Sequence, residues 1–184
     1  MNKNIVFDMD GVLADFFAEP NNLQRFENER GFFKNLKPIA NNNKMVRDLI
    51  YMGFNVYIIS ASPNKQADKE KRQWLTKYIP NLKKENIIIC RNGQNKADFM
   101  KDIENSILID DYTQNLIQWK AKGGKTLKYI NAINDKNGVH KVFKIKELKD
   151  FKDIIKMIDS IWYYLIFFWP FKANKCSVVI QVVR

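Results

Sequence analysis

Two cysteines and one histidine are all the thiol and imidazole that this chain of 184 residues offers. A zinc cluster or a His-based catalytic triad therefore has almost nothing to be built from. Cys90 closes the run Ile87-Ile88-Ile89 and reads as a small packed hydrophobe. With Cys176 as its one possible partner, a reduced chain is expected rather than a disulfide scaffold. Gly-rich Lys-Ser/Thr loops of the kind that cradle triphosphates are missing, since Gly123-Gly124 is too late and too short and reads as a helix terminator. No apolar leader precedes a small-residue cleavage site. The first apolar run leads straight into Asp8, so a cytoplasmic protein without a signal peptide is expected. The uncharged aromatic stretch at residues 161–171 falls well short of the ~20 residues that span a bilayer.

What is present is charge and carboxylate. Lys and Arg number 31 against 20 Asp and Glu, a formal charge of +11. That surplus either reflects composition or serves an acidic partner: nucleic acid, a membrane surface or a phosphorylated metabolite. The informative acids come in two matched settings. Ile5-Val6-Phe7 ends in Asp8-Met9-Asp10-Gly11, and Ile107-Leu108-Ile109 ends in Asp110-Asp111. Each apolar run reads as a buried strand that delivers its carboxylates to the edge of a sheet. Acids crowded there repel one another unless a hard cation sits among them, and oxygen-only ligation suits Mg²⁺.

Short apolar strands are expected at residues 4–8, 56–59, 87–89, 107–109 and 126–130, with an edge strand at 142–145 opened by His140. Helices alternate with them. Met45, Leu49, Ile50 and Met52 form one stripe; Gln66 to Tyr78, anchored by Trp74, Leu75 and Tyr78, forms a second; Leu116, Ile117 and Trp119 mark a third. This alternation indicates an α/β fold with a parallel sheet covered on both faces. Ligands in such sheets sit beyond the carboxyl ends of the strands, where Asp8, Ser60, Ser62, Asp110 and Asp111 fall. The stretch from Phe16 to about Ala40, with five phenylalanines, breaks the rhythm and reads as a small helical insert over the site. Residues 151–158 read as an amphipathic helix and 178–183 as a final strand. The aromatic tail between them suits a buried or dimer-forming helix, with peripheral membrane contact as the alternative.

Asp8 and Asp10, two apart, can divide the work: one attacks phosphorus beside the metal while the other reaches the leaving oxygen. Asp110 is the natural further ligand. Ser60 and Ser62 can hold phosphate oxygens, and Ser62 also has the form of a helix cap before Pro63. Lys71 follows on the next helix, and Lys96 opens the one after Arg91-Asn92-Gly93-Gln94-Asn95.

Taken together these motifs resemble those of haloacid-dehalogenase-superfamily phosphohydrolases. Asp8-Met9-Asp10-Gly11-Val12 is similar to that superfamily's first motif, and the serine, the lysine and Asp110-Asp111 to the others. Asp10 to Phe16, Gly31 to Ile39, Ser62-Pro63 and Glu70-Lys71-Arg72-Gln73-Trp74 resemble segments of the 5'(3')-deoxyribonucleotidases. The resemblance implies a three-layer Rossmannoid core (1–15 and 41–160), a small cap (16–40) and an extension (161–184) outside the similarity. It implies Mg²⁺-dependent hydrolysis of nucleoside monophosphates through an aspartyl-phosphate on Asp8, with Asp10 as general acid and base. Asp8, Asp10, Asp110 and Asp111 would serve the metal, with Asp10 acting through its backbone carbonyl. Ser60, Ser62, Lys71 and Lys96 would bind phosphate, and Phe16 and Phe33 the base. Ala61 departs from the pattern by lacking a hydroxyl, and the insert is shorter than in the animal enzymes, which implies looser selectivity. Three alternatives remain at this stage: a phosphatase of DNA or RNA strand ends, a phosphatase of another small phosphorylated metabolite, and a binding protein that merely kept the fold. The last would be expected to have lost one of the four acids, and all are present.

Overall fold

The computed structural model describes residues 3–131, 133–134, 143–145 and 156. His140, Cys176, all but one residue of the 151–158 helix, the aromatic tail and the 178–183 strand lie outside the described residues.

Strand β1 (Asn4–Phe7) leads into a 3-10 turn at Phe16–Ala18 and two single-turn helices, α1 (Asn22–Arg25) and α2 (Phe32–Asn35). Then follow α3 (Ala40–Tyr51), β2 (Asn55–Ser62), α4 (Lys65–Tyr78), β3 (Ile87–Arg91), β4 (Ser106–Asp110), α5 (Thr113–Ala121), β5 (Lys125–Tyr129) and β6 (Phe143–Ile145). Among the described residues six strands form one sheet in the order β3-β2-β1-β4-β5-β6, and every neighbouring pair is parallel. This is the Rossmannoid α/β architecture, with its helical insertion directly after the first strand.

Strand alternation explains both apolar layers. Ile5, Phe7, Ile58, Ile107 and Ile109 face one core with Met45, Val46, Leu49, Trp74 and Leu75. Val6, Ile59 and Leu108 point the other way, against Cys90, Ala97, Leu116 and Trp119. Because both faces are covered, the central strands carry no polar alternation. Burial pushes the Cys90 thiol up, so it stays protonated and packs as a hydrophobe.

Three local expectations need correction. Ile117 is 54% exposed and takes no part in the α5 stripe, which rests on Leu116 and Trp119. Strand β2 continues through Ser62, which pairs with Arg91, so the chain is still extended where a cap was expected. Asn64 caps α4 instead, its side chain accepting the Ala67 N–H at 2.9 Å. Lys96 opens a 3-10 turn (Lys96–Phe99) rather than a full helix. The aromatic insert does pack upon itself: Phe16 lies in ring contact with Phe17, Phe26, Phe32 and Phe33.

Candidate active site

Parallel register sets the site. Phe7 pairs with Ile109, and the Asp8 N–H donates to the Ile109 carbonyl at 2.9 Å, so Asp8 and Asp110 leave adjacent strands at the same level. Beyond Asp8 the chain folds into a tight turn in which Leu13 and Ala14 N–H both donate to the Met9 carbonyl. The start of α3 holds that turn, with Asn42 Nδ2 on the Val12 carbonyl at 2.5 Å and Asn43 Nδ2 on that of Leu13 at 2.7 Å. Gly11 is obligatory here. Its φ is +75°, and a Cβ would lie 2.5 Å from Asp111 Oδ2 and 2.6 Å from the Phe17 ring. Gly11→Ala should therefore cost at least about 1 kcal/mol of stability. It should also lower turnover at least ~10-fold by displacing Asp111; thermal unfolding and initial rates on one protein sample check both.

Carboxylate oxygens of Asp8, Asp110 and Asp111 lie within 4.8 Å of one another. Lys96 Nζ bridges two of them, 2.8 Å from Asp8 Oδ1 and 2.8 Å from Asp110 Oδ2. Asp110 is pinned further by the Tyr112 N–H (2.7 Å) and Asn115 Nδ2 (2.9 Å). Asn131 Nδ2 donates to Asp111 Oδ2 at 2.7 Å, and Asn134 Nδ2 to the Asp111 carbonyl at 2.9 Å. Asp10 turns away from this trio. Its Oδ2 pairs with Lys71, which is fully buried and also donates to Ser60 Oγ at 2.8 Å and to the Ala61 carbonyl at 2.5 Å.

The two neighbouring acids of the first motif thus have different partners. Asp8 sits with Lys96 and the acidic trio, whereas Asp10 sits with Lys71 and keeps one buried oxygen, Oδ1, without a hydrogen-bond partner among the described residues. Burial raises the Asp8 pKa most, Lys96 draws it back, and Asp110 and Asp10 push it up again, to about 7. Burial and then the Asp110 and Asp8 charges push Asp111 well up. Burial acts to lower the Lys96 ammonium, but Asp110 and Asp8 outweigh it and hold it above its ordinary value.

These directions are the signature of a cluster short of positive charge. Four carboxylates meet two ammonium groups, which leaves two negative charges, the amount one divalent cation neutralises. The donors are all oxygens of hard carboxylates, so the residues present fit such an ion.

Of the ten residues singled out from the sequence, the structure brings Asp8, Asp10, Asp110, Asp111, Ser60, Lys71 and Lys96 together. Ser62 is fully buried but donates to the Asn64 carbonyl at 3.1 Å. Phe33 is buried with its ring 4.3 Å from Lys71 Nζ. Phe16 is buried beside it, 6.4 Å between centroids and 22° between planes. Sequence reasoning missed Asn115, Asn131 and Asn134, which carry no motif among so many asparagines. It also missed Glu70 as a residue in its own right, although a charge on the apolar face of an amphipathic helix is a usable signal.

Residues 17–160 match the sequence family described as 5' nucleotidase, deoxy (pyrimidine), cytosolic type C protein. The chain belongs to this family. The match begins after Asp8 and Asp10. The chain is 27% identical over 146 residues to the 5'(3')-deoxyribonucleotidase of Bacillus subtilis (strain 168), a span of 63% of this chain and 80% of that protein. The same figures hold for the 5'(3')-deoxyribonucleotidase of Bacillus phage SPbeta. Among solved structures it is similar to a D,D-heptose 1,7-bisphosphate phosphatase from B. bronchiseptica complexed with magnesium and phosphate. There the TM-score is 0.60 at 12% identity, over 84% of this chain and 99% of that one. A dehalogenase with an intermediate complex gives a TM-score of 0.62 at 11% identity, over 84% and 96%. At those identities the structures speak for the fold alone. Family, fold and acidic cluster together make this nucleotidase relative a phosphohydrolase of the haloacid-dehalogenase type, with a carboxylate cluster that could hold a divalent metal. Among the described residues, no helix is long and apolar enough to cross a membrane.

Proposed function

We propose that the chain is a Mg²⁺-dependent phosphomonoesterase of (deoxy)ribonucleoside 5'-monophosphates, acting through an aspartyl-phosphate. The observation that carries this reading is the separation of the two first-motif acids, Asp8 beside the cation cluster and Asp10 paired with Lys71. Asp8 attacks phosphorus; the ester P–O bond breaks and Asp10 gives its proton to the departing sugar oxygen. Water then attacks the acyl phosphate, Asp10 takes a proton from it, and Asp8 is released with inorganic phosphate. Lys71 and Lys96 hold the phosphoryl oxygens, with Ser60 and backbone N–H groups standing in for the hydroxyl that Ala61 lacks. Asp8, Asp110, Asp111 and the Asp10 carbonyl would hold Mg²⁺, which supplies charge neutralisation at the phosphoryl group.

Residues 16–40 serve as the cap in this reading. The Phe33 ring lies 4.3 Å from Lys71 Nζ, which supports reading it as the aromatic neighbour of the phosphate-binding lysine. The base would stack there, with Phe16 alongside. A panel of nucleoside monophosphates, sugar phosphates and phosphoamino acids tests the substrate class. Nucleotides should lead it, and Phe33→Ala should raise their KM about tenfold, a loss of ~1.4 kcal/mol of stacking. Preference for a non-aromatic ester, or indifference to Phe33→Ala, counts against a stacked base.

The strand-end alternative draws on the basic surface. Lys65, Lys69, Arg72 and Lys77 line an open groove of about 670 Å³ along α4. That groove occupies the helix face opposite Ala67, Glu70, Lys71 and Trp74, which are buried. It therefore leads away from the carboxylates, and we favour the mononucleotide. A cytoplasmic setting accords with the reduced, buried Cys90.

A further inference from the structure

Helix α4 buries two adjacent charges, Glu70 and Lys71. Lys71 belongs to the carboxylate site. Glu70 does not touch it. Its carboxylate, only 2% exposed, accepts the Gly31 N–H on Oε1 at 2.6 Å and the Phe33 N–H on Oε2 at 3.1 Å. Gln66 Nε2 adds a third bond to Oε1 at 2.7 Å. Gly31 and Phe33 stand at the start of α2, where N–H groups have no partner within the helix, and an ionised acceptor makes the stronger bond. Two further bonds tie the insertion to the same helix: Asn64 Nδ2 to the Glu27 carbonyl and Trp74 Nε1 to that of Leu36, each at 2.8 Å. The insertion's backbone is thus held by α4 at residues 27, 31, 33 and 36. Its Phe33 ring comes to rest under the Lys71 ammonium as a consequence.

We propose that Glu70 is a positioning residue that sets substrate selectivity by fixing Phe33 in register with Lys71. The proposal rests on the reading of the insertion as the substrate-facing cap. Both the phosphate-side lysine and the aromatic ring hang from neighbouring positions of one rigid helix, so the distance between phosphate and stacked group is set by Glu70. In Glu70→Gln one carboxylate oxygen becomes an NH₂ group that faces an N–H donor. Either Gly31 or Phe33 then loses its acceptor, while Asp8, Lys96 and the acidic trio keep theirs.

The test compares two esters. One is whichever member of the nucleotide, sugar-phosphate and phosphoamino-acid panel the unaltered enzyme prefers; the other is p-nitrophenyl phosphate, a small activated ester. Glu70→Gln should lower the ratio of kcat/KM between them about tenfold, chiefly through KM, and amide exchange should quicken at Gly31 and Phe33 but not in β1 or β4. Adding Phe33→Ala should lower the ratio no further than the larger single change, because both act on one ring. An equal fall on both esters together with a lower Tm, an unchanged ratio, or full additivity with Phe33→Ala would each overturn the proposal. A preferred ester without an aromatic base sinks the nucleotide reading instead, and the Glu70 ratio is still measured on that ester.

Discussion

Asp8→Asn should lower turnover of dUMP and dTMP at least about 1,000-fold, some 4 kcal/mol of barrier. The amide has nearly the same shape, so the tight turn and the Lys96 contact geometry can persist. What it lacks is a charge to hold a cation and an oxygen nucleophilic enough to form the acyl phosphate. The fold should survive, because the lost carboxylate is buried among acids of the same sign. Thermal unfolding in EDTA should show a Tm equal to or above that of the unaltered protein. Near-normal turnover in this variant would end the aspartyl-phosphate scheme.

Stability should respond to pH and to magnesium together. In the unfolded chain Asp8 titrates at its ordinary value of 3.8; in the fold its pKa is raised to about 7. The metal-free fold therefore holds this proton more tightly than the unfolded chain. Its contribution is fully present below about pH 4 and is lost as pH rises through 7, a change on the order of 4 kcal/mol at most. Asp111, pushed in the same direction, adds to the loss. A divalent cation binds the ionised cluster, so it should restore what the rising pH removes. Saturating MgCl₂ should raise Tm by about 5–10 °C at pH 8 and by under ~2 °C at pH 5. Circular dichroism melts in EDTA and in MgCl₂ at the two pH values decide this. A magnesium effect of the same size at both would mean that the acidic trio is not where the ion binds.

Much of the architecture is legible in the sequence because strand and helix patterns are local. Ile5-Val6-Phe7 and Ile107-Leu108-Ile109 read as doubly buried strands and are so, and the acids that follow them emerge at one sheet edge because the strands are parallel. Boundaries are harder to read. Ser62 looks like a cap beside Pro63, yet pairing with Arg91 keeps it in the strand, because a ladder partner on another segment outweighs a local signal. Ile117 follows the helical stripe in the sequence and is still 54% exposed, since none of the described residues covers it.

By itself the sequence determined the family, the α/β class and the four carboxylates, for these are written in contiguous runs whose chemistry does not depend on distant partners. Only the tertiary structure decided which cation serves which acid. With 31 Lys and Arg, each on a long flexible stem, the sequence cannot pair Lys71 with Asp10 or set Lys96 between Asp8 and Asp110. Nor can it turn Asn131 onto Asp111 or Glu70 onto the N–H groups of Gly31 and Phe33. Each of these contacts joins residues between 14 and 88 positions apart, so its geometry exists only after the sheet and α4 have packed, whereas the apolar runs reveal themselves through their immediate neighbours.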